Sequence, residues 1–89
     1  MIYKIIFSPE AFRELEIAEC YFKAINLRDF FLTDFSKQLS FLERMPLARQ
    51  IRYKQVRIHQ FEKVNYSIHY VVVGLQVQIL HILNQKQDF

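Results

Sequence analysis

Five basic side chains within one fifteen-residue stretch are the strongest candidates in this sequence for contact with an anionic partner: Arg49, Arg52, Lys54, Arg57 and Lys63. One acid, Glu62, opposes them. Residues 46–89 carry six basic and two acidic groups, a net charge of +4, whereas residues 1–45 carry six basic and seven acidic groups, a net charge of −1. Such a stretch favours an anionic partner, although Lys and Arg also protect exposed sheet edges from aggregation.

Three histidines fall on three predicted strands and could in principle converge: His59, His69 and His81. Their spacing does not resemble a zinc site, and a histidine paired within a sheet is far commoner than a metal ligand. The single glycine excludes a glycine-rich phosphate loop. We therefore expect neither a metal nor a cofactor.

Cys20 and a group of helical glutamates have simple structural interpretations. Cys20 stands among Ala18, Tyr21 and Phe22, which favours a small buried hydrophobe over a nucleophile. The glutamates are most simply a solvated helix face, and they do not suggest the cleft of a glycosidase: Glu14, Glu16 and Glu19.

The first half of the chain predicts a strand followed by two helices. Residues 2–7 are mostly β-branched or aromatic, and Ser8-Pro9 can cap a helix and begin it. Apolar residues then recur at helical spacing to about residue 25. After an interruption at 26–29 a second apolar series runs to Met45-Pro46, which predicts a helical hairpin.

The second half predicts strands near 50–59, 66–73 and 75–84, with the turn of the last pair at Gly74. Within 50–59 the apolar residues change parity, which indicates a slip or bulge near Lys54-Gln55. Val56 and Ile58 then face the core, and Arg57 and His59 lie opposite it. The predicted class is α+β with the order β-α-α-β-β-β, a helical hairpin packed on one face of a mainly antiparallel sheet.

Length and composition bound the possibilities. Eighty-nine residues, 52% of them hydrophobic, predict one domain over 1–89 with a packed core. One cysteine excludes an intramolecular disulfide and suits a reducing cytoplasm. No apolar run is long enough to span a membrane, and the first residues lack the apolar stretch of a signal peptide, so we expect no membrane association.

Four segments carry a resemblance that covers the whole chain: residues 3–11 (YKIIFSPEA), 41–46 (FLERMP), 56–57 (VR) with 65–70 (NYSIHY), and 79–88 (ILHILNQKQD). In order and spacing they resemble the RelE/ParE superfamily of toxins from bacterial type II toxin–antitoxin pairs. The resemblance implies the fold predicted above and a separately encoded antitoxin partner in a hetero-oligomer.

That superfamily contains two activities on one fold, so the fold cannot choose between them. RelE-like members cut mRNA in the ribosome without a metal, using Lys, Arg and sometimes Tyr or His, and ParE-like members inhibit DNA gyrase. The chain departs from the RelE-like set, because Ser67 stands where an Arg is common and Asn84 where a His is common. This short inventory favours gyrase as the target. Ribosome-dependent cleavage of mRNA is the alternative, and a non-toxic module that only binds its partner is a third.

The resemblance and the charge pattern together nominate site residues. The target-binding candidates are Arg52, Lys54, Arg57, His59 and Lys86. If the protein is instead RelE-like, the catalytic candidates are Lys54, Arg57, His69 and Lys86. For Arg57 the competing structural interpretation is an ion pair with a helix carboxylate such as Glu14.

Overall fold

A computed structural model describes residues 2–85 and contains two helices and five strands. The elements in chain order are β1 Lys4–Phe7, α1 Pro9–Ala24, α2 Arg28–Arg44, a short 3-10 helix Pro46–Ala48, β2 Ile51–Tyr53, β3 Val56–Gln60, β4 Tyr66–Val73 and β5 Gln76–Asn84. The predicted α+β class, with a helical hairpin on a mainly antiparallel sheet, is confirmed.

The sheet has the strand order β1-β5-β4-β3-β2. Strand β1 pairs with β5 in parallel, and the other three pairs are antiparallel. Strand β5 therefore lies inside the sheet, as its nearly continuous apolar sequence predicts. Gly74, with a φ of +59°, makes the predicted turn before it.

The segment predicted as one irregular strand over 50–59 is a hairpin of two strands. Residues Lys54 and Gln55 form the turn between β2 and β3, and Lys54 has a φ of +49°. The change of apolar parity predicts a bulge rather than a turn, because neither Lys54 nor Gln55 is Gly, Asn or Asp, the usual residues of a tight turn. The sheet consequently gains a short edge strand, β2, three residues long.

Helix α1 begins and ends where local chemistry directs it. The Ser8 hydroxyl accepts the Ala11 N–H at 3.0 Å, with Pro9 as the first helical residue, as predicted. At the other end Asn26 has a φ of +62°, and the Leu27 N–H donates to the Phe22 carbonyl at 2.7 Å. This pairing is a Schellman motif with Asn in the left-handed position, and it allows α2 to begin at Arg28.

The core lies between the helices and one face of the sheet. Phe31 is fully buried and stacks on Phe22 with ring centroids 4.8 Å apart. From the sheet, Tyr70 is fully buried and its hydroxyl donates to the Pro46 carbonyl at 2.6 Å. Burial raises the pKa of Tyr70 to about 12, so its hydroxyl stays protonated and tethers the 3-10 helix to the sheet.

The cysteine of α1 lies on the outer face of the helix. Cys20 is exposed on α1, so the prediction of a buried cysteine is wrong. Helical spacing places it beside the charged outer residues Glu16 and Lys23 rather than beside Ala18 and Phe22.

Within residues 2–85, neither helix combines the length and the apolar character that crossing a bilayer requires.

Candidate functional site

The strand register shows which sheet face each candidate residue occupies. Ile68 and Tyr70 pack into the helix-side core, and they pair directly with His59 and Arg57 of β3. Directly paired residues share a face of an antiparallel sheet, so Arg57 and His59 lie on the helix side. The prediction that Arg57 and His59 face away from the core is therefore wrong, whereas Val56 and Ile58, on the other face of β3, are buried as predicted.

His59, a predicted target-binding residue, is buried against α2. Its ring is 3% exposed and stacks on Phe41 at 4.7 Å. Nε2 lies 2.7 Å from the Gln38 side-chain oxygen, and Nδ1 accepts from Arg49 Nε at 2.9 Å. Burial, followed by the nearby Arg49 charge, lowers the pKa of His59 to about 4, so the ring is neutral with its proton on Nε2.

Asp34 extends this buried polar network into the loop between β3 and β4. Its carboxylate is 3% exposed and accepts from Gln38 Nε2 at 2.8 Å and from the backbone N–H of Lys63 at 2.6 Å and of Val64 at 3.1 Å. Burial would raise the pKa of Asp34, but these donors outweigh it and the pKa is lowered. The carboxylate therefore stays ionised and fixes the loop to α2.

Arg57 does not pair with a helix carboxylate. Its guanidinium Nη1 donates to the backbone carbonyl of Arg49, the residue that follows the 3-10 helix. Glu14 contacts His81 and the Ile82 N–H instead, so the alternative prediction of an Arg57–Glu14 ion pair is wrong. Arg57 is half-buried where β3 meets this loop.

The exposed basic candidates gather on the hairpin of β2 and β3. Arg52 and Lys54 are both exposed, one on β2 and one in the turn. Exposed apolar side chains adjoin them in the chain, namely Met45, Leu47 and Ile51. We call this mixed surface, residues 45–54, the basic hairpin surface. Lys86 lies outside the described residues.

A row of polar side chains that the sequence analysis did not assemble lies on and beside the sheet face opposite the helices. It comprises Tyr53, His69, His81 and Glu14, and we call it the open-face row. The Tyr53 hydroxyl lies 3.1 Å from His69 Nδ1. His69 pairs directly with His81 across β4 and β5, and His81 Nδ1 lies 3.2 Å from Glu14 Oε1. Glu14 also accepts the Ile82 N–H at 3.0 Å, so it is not a solvated helix residue as predicted.

Exposure differs along this row. His69 is 1% exposed, whereas Tyr53 is 44% exposed and the side chain of His81 is 44% exposed. Burial, then the neighbouring His81 charge, lowers the pKa of His69; Glu14 acts in the opposite direction and Arg52 in the same one. His69 is therefore neutral at pH 7. The outer members, Tyr53 and His81, are the ones that a ligand can touch.

Sequence reasoning missed this row because its members come from four elements. The sequence analysis names His69 as a catalytic candidate. It places Tyr53 on a strand and gives it no functional role. Strand parity could have placed His69 on this face, because it alternates with Ile68 and Tyr70. It could not have placed His81, which shares the parity of the buried Val77 and Ile79 and reaches this face only through the register shift between β4 and β5. Among residues 2–85 no group of three or more His, Cys, Asp or Glu is arranged to hold a metal ion.

A second exposed surface is apolar and lies on α1. Ile17 is 63% exposed and Tyr21 58% exposed, four residues apart on one helix face, and Ile25 continues the series. Beside them a groove separates α1 from the end of β5, at Ile82 and Leu83. We call this surface the α1 apolar stripe.

Eight chains of solved structures are similar to this chain. No protein-family model matches the sequence, and no curated protein does. A chain of the solved structure "Chromosomal ParDE TA system from P. aeruginosa" superposes with a TM-score of 0.75 and 19% sequence identity, covering 93% of this chain and 96% of that one. The fold is thus the fold of a chain from a ParDE toxin–antitoxin system, as the resemblance of the sequence implies.

Proposed function

We propose that this protein is the toxin of a type II toxin–antitoxin pair, that residues 1–89 act as one ParE-like domain in the cytoplasm, and that its target is DNA gyrase. The observation that carries the proposal is the likeness to a chain of a ParDE system over nearly the whole of both chains. The sequence resemblance, which rests on four ordered segments, supports the same assignment independently of the superposition.

The α1 apolar stripe is the proposed binding site of the antitoxin. Ile17 and Tyr21 present apolar area that no part of residues 2–85 covers, and an amphipathic or extended segment could lie along the helix and its groove. Acidic residues of the same antitoxin would meet the basic hairpin surface, at Arg52 and Lys54. Together the two surfaces account for a stable hetero-oligomer of toxin and antitoxin.

The basic hairpin surface is the proposed contact with gyrase. Arg52 and Lys54 project from a short hairpin at the sheet edge, and Arg57 lies at its base, half-buried. Of the two exposed residues, neither forms an ion pair within residues 2–85, so both charges are available to an anionic surface. Lys86 is proposed to act with them, and His59 is removed from the set because it is buried.

Ribosome-dependent cleavage of mRNA is the second candidate, and one observation favours it. The open-face row supplies hydroxyl, imidazole and carboxylate groups in two hydrogen-bonded pairs, Tyr53 with His69 and His81 with Glu14, which a binding surface for gyrase does not require. Against it, Ser67 is a buried hydroxyl where RelE-like members often place an Arg.

Two assays on one purified sample test the proposal. Expression of the chain alone should arrest growth, and co-expression with the adjacent small gene should relieve the arrest and yield a complex. The purified protein should inhibit supercoiling by gyrase and leave ribosome-bound mRNA intact. Cleavage of that mRNA with normal supercoiling would replace the first candidate with the second. Normal growth with a stable complex would identify a non-toxic binding module.

A further inference from the structure

An open cavity of about 360 Å³ lies at the edge of the sheet, where β3 continues past the end of β2. The pairing of β2 with β3 ends at Ile51 and Arg57, so no strand within residues 2–85 pairs with the outer edge of β3 beyond that point. Two exposed arginines and three residues at the end of β3 line the cavity: Arg49, Arg52, Ile58, Gln60 and Phe61.

Arg49 is held in a fixed position beside this cavity. Its Nε donates to His59 Nδ1 at 2.9 Å, and its guanidinium carbon lies 4.8 Å from the centre of the Phe41 ring. Arg57 holds the backbone of the same residue, because its Nη1 donates to the Arg49 carbonyl. Within residues 2–85 the two terminal nitrogens of Arg49 make no hydrogen bond, so their N–H groups are available to a ligand.

The buried network behind Arg49 fixes the acceptor that holds it. His59 carries its proton on Nε2, which donates to the Gln38 side-chain oxygen at 2.7 Å, and Gln38 Nε2 donates to the Asp34 carboxylate at 2.8 Å. These three side chains belong to residues that are each at most 3% exposed. The Nδ1 atom of His59 is therefore an acceptor at neutral pH, and the guanidinium is oriented before a ligand arrives.

The open strand edge adds a backbone donor at Gln60. The N–H of the next residue, Phe61, donates to the Tyr66 carbonyl of β4 at 3.0 Å. Alternate residues of an antiparallel strand bond to the same neighbour, so the Gln60 N–H points away from β4, to the side of the cavity. Within residues 2–85 neither Arg49 nor Arg52 forms an ion pair. Two uncompensated positive charges and an unpaired N–H together suit a tetrahedral oxyanion.

We propose that this cavity binds a phosphate monoester, with Arg49, Arg52 and the Gln60 N–H as its ligands. The inference goes beyond the proposed function and does not depend on which target the protein has. The terminal nitrogens of one guanidinium donate two parallel bonds to a phosphate, and the second arginine neutralises its remaining charge. A cavity of about 360 Å³ is near the lower end of small-molecule sites, which favours a small phosphorylated compound. Inorganic phosphate and a mononucleotide both carry this chemistry.

An NMR titration of the full chain tests the site, with sodium phosphate and separately with adenosine 5′-monophosphate, at neutral pH and constant ionic strength. Both should bind with a Kd below about 1 mM, and the largest shifts should fall on the Gln60 N–H and Arg49 Nε signals. Arg49→Ala and Arg52→Ala should each weaken binding about tenfold or more. Arg13→Ala is the matched control, because it removes an exposed positive charge from α1, and it should bind like wild type.

Arg49→Lys separates a held guanidinium from simple charge attraction, because lysine keeps the charge and lacks the planar pair of terminal nitrogens. It should bind as weakly as Arg49→Ala. Wild-type affinity in Arg49→Lys, or equal weakening by Arg13→Ala, would overturn the site and leave a general attraction of anions to a basic surface. Gln60 and Arg49 signals that do not move in wild type at about 10 mM of either compound would overturn it without any variant. Binding of inorganic phosphate without binding of the mononucleotide would overturn the monoester as the ligand.

Discussion

His59 makes the stability of this protein depend on pH in a calculable way. The ring is buried and neutral, with a pKa of about 4 in the folded state against 6.5 for an ordinary histidine. The pKa is lowered, so the unfolded chain binds the proton more readily than the folded one. The His59 contribution to stability is therefore complete above pH 6.5, is lost as pH falls toward 4, and does not change further below that.

The magnitude follows from the two pKa values. Between pH 7.5 and pH 5.0 the unfolded histidine becomes almost fully protonated while the folded one stays mostly neutral. With a folded pKa of about 4, linkage gives a loss of about 2 kcal/mol in the free energy of unfolding over that interval. Stopping at pH 5.0 keeps the measurement above the range in which Asp34 and Glu62, whose pKa values are lowered, begin to take up protons in the folded state.

Urea denaturation at pH 7.5 and at pH 5.0, for wild type and for His59→Gln, isolates this term. The glutamine can still donate to Gln38 and cannot titrate. The pKa of His69 is also lowered, so its pH dependence acts in the same direction and remains in both proteins. The loss between the two pH values should be about 2 kcal/mol larger in wild type than in the variant. Equal losses in the two proteins, or an NMR titration of the His59 ring near pH 6.5, would refute the buried neutral assignment.

Three further outcomes are expected. Asp34→Ala should lower the free energy of unfolding by about 3 kcal/mol, because the loop N–H groups of Lys63 and Val64 lose their acceptor; a loss below about 0.5 kcal/mol in urea denaturation would contradict this. Asn26→Ala should cost about 1 kcal/mol at the left-handed residue, with Asn26→Gly neutral or stabilising by the same measurement. Arg57→Ala should abolish growth arrest while stability falls by no more than about 1 kcal/mol; persistent arrest by the folded variant would exclude Arg57 as a target contact, and a variant that fails to fold would give it a structural role.

The sequence by itself determined the fold class and most element boundaries, because these depend on local signals. Ser8-Pro9 begins α1 through hydrogen bonds within one turn, Met45-Pro46 ends α2, and Gly74 makes the β4–β5 turn. Apolar periodicity separated helices from strands because it reflects burial along one element. The turn at Lys54-Gln55 could not be predicted from the sequence, because Lys is not a residue type that indicates a left-handed conformation.

Tertiary structure alone decided which side chains meet. Parity divides β3 into two faces, and Val56 and Ile58 are buried on one of them. Only packing against α2 buries His59 on the other, through Gln38 and Phe41. The Glu14–His81 contact joins residues 67 positions apart in the chain. The pairing of β1 with β5 ends at Ile79, and Glu14 of α1 accepts the Ile82 N–H beyond it, which places the carboxylate beside His81. Local patterns carry no information about such pairings, since both residues look like ordinary polar positions until the sheet brings them together.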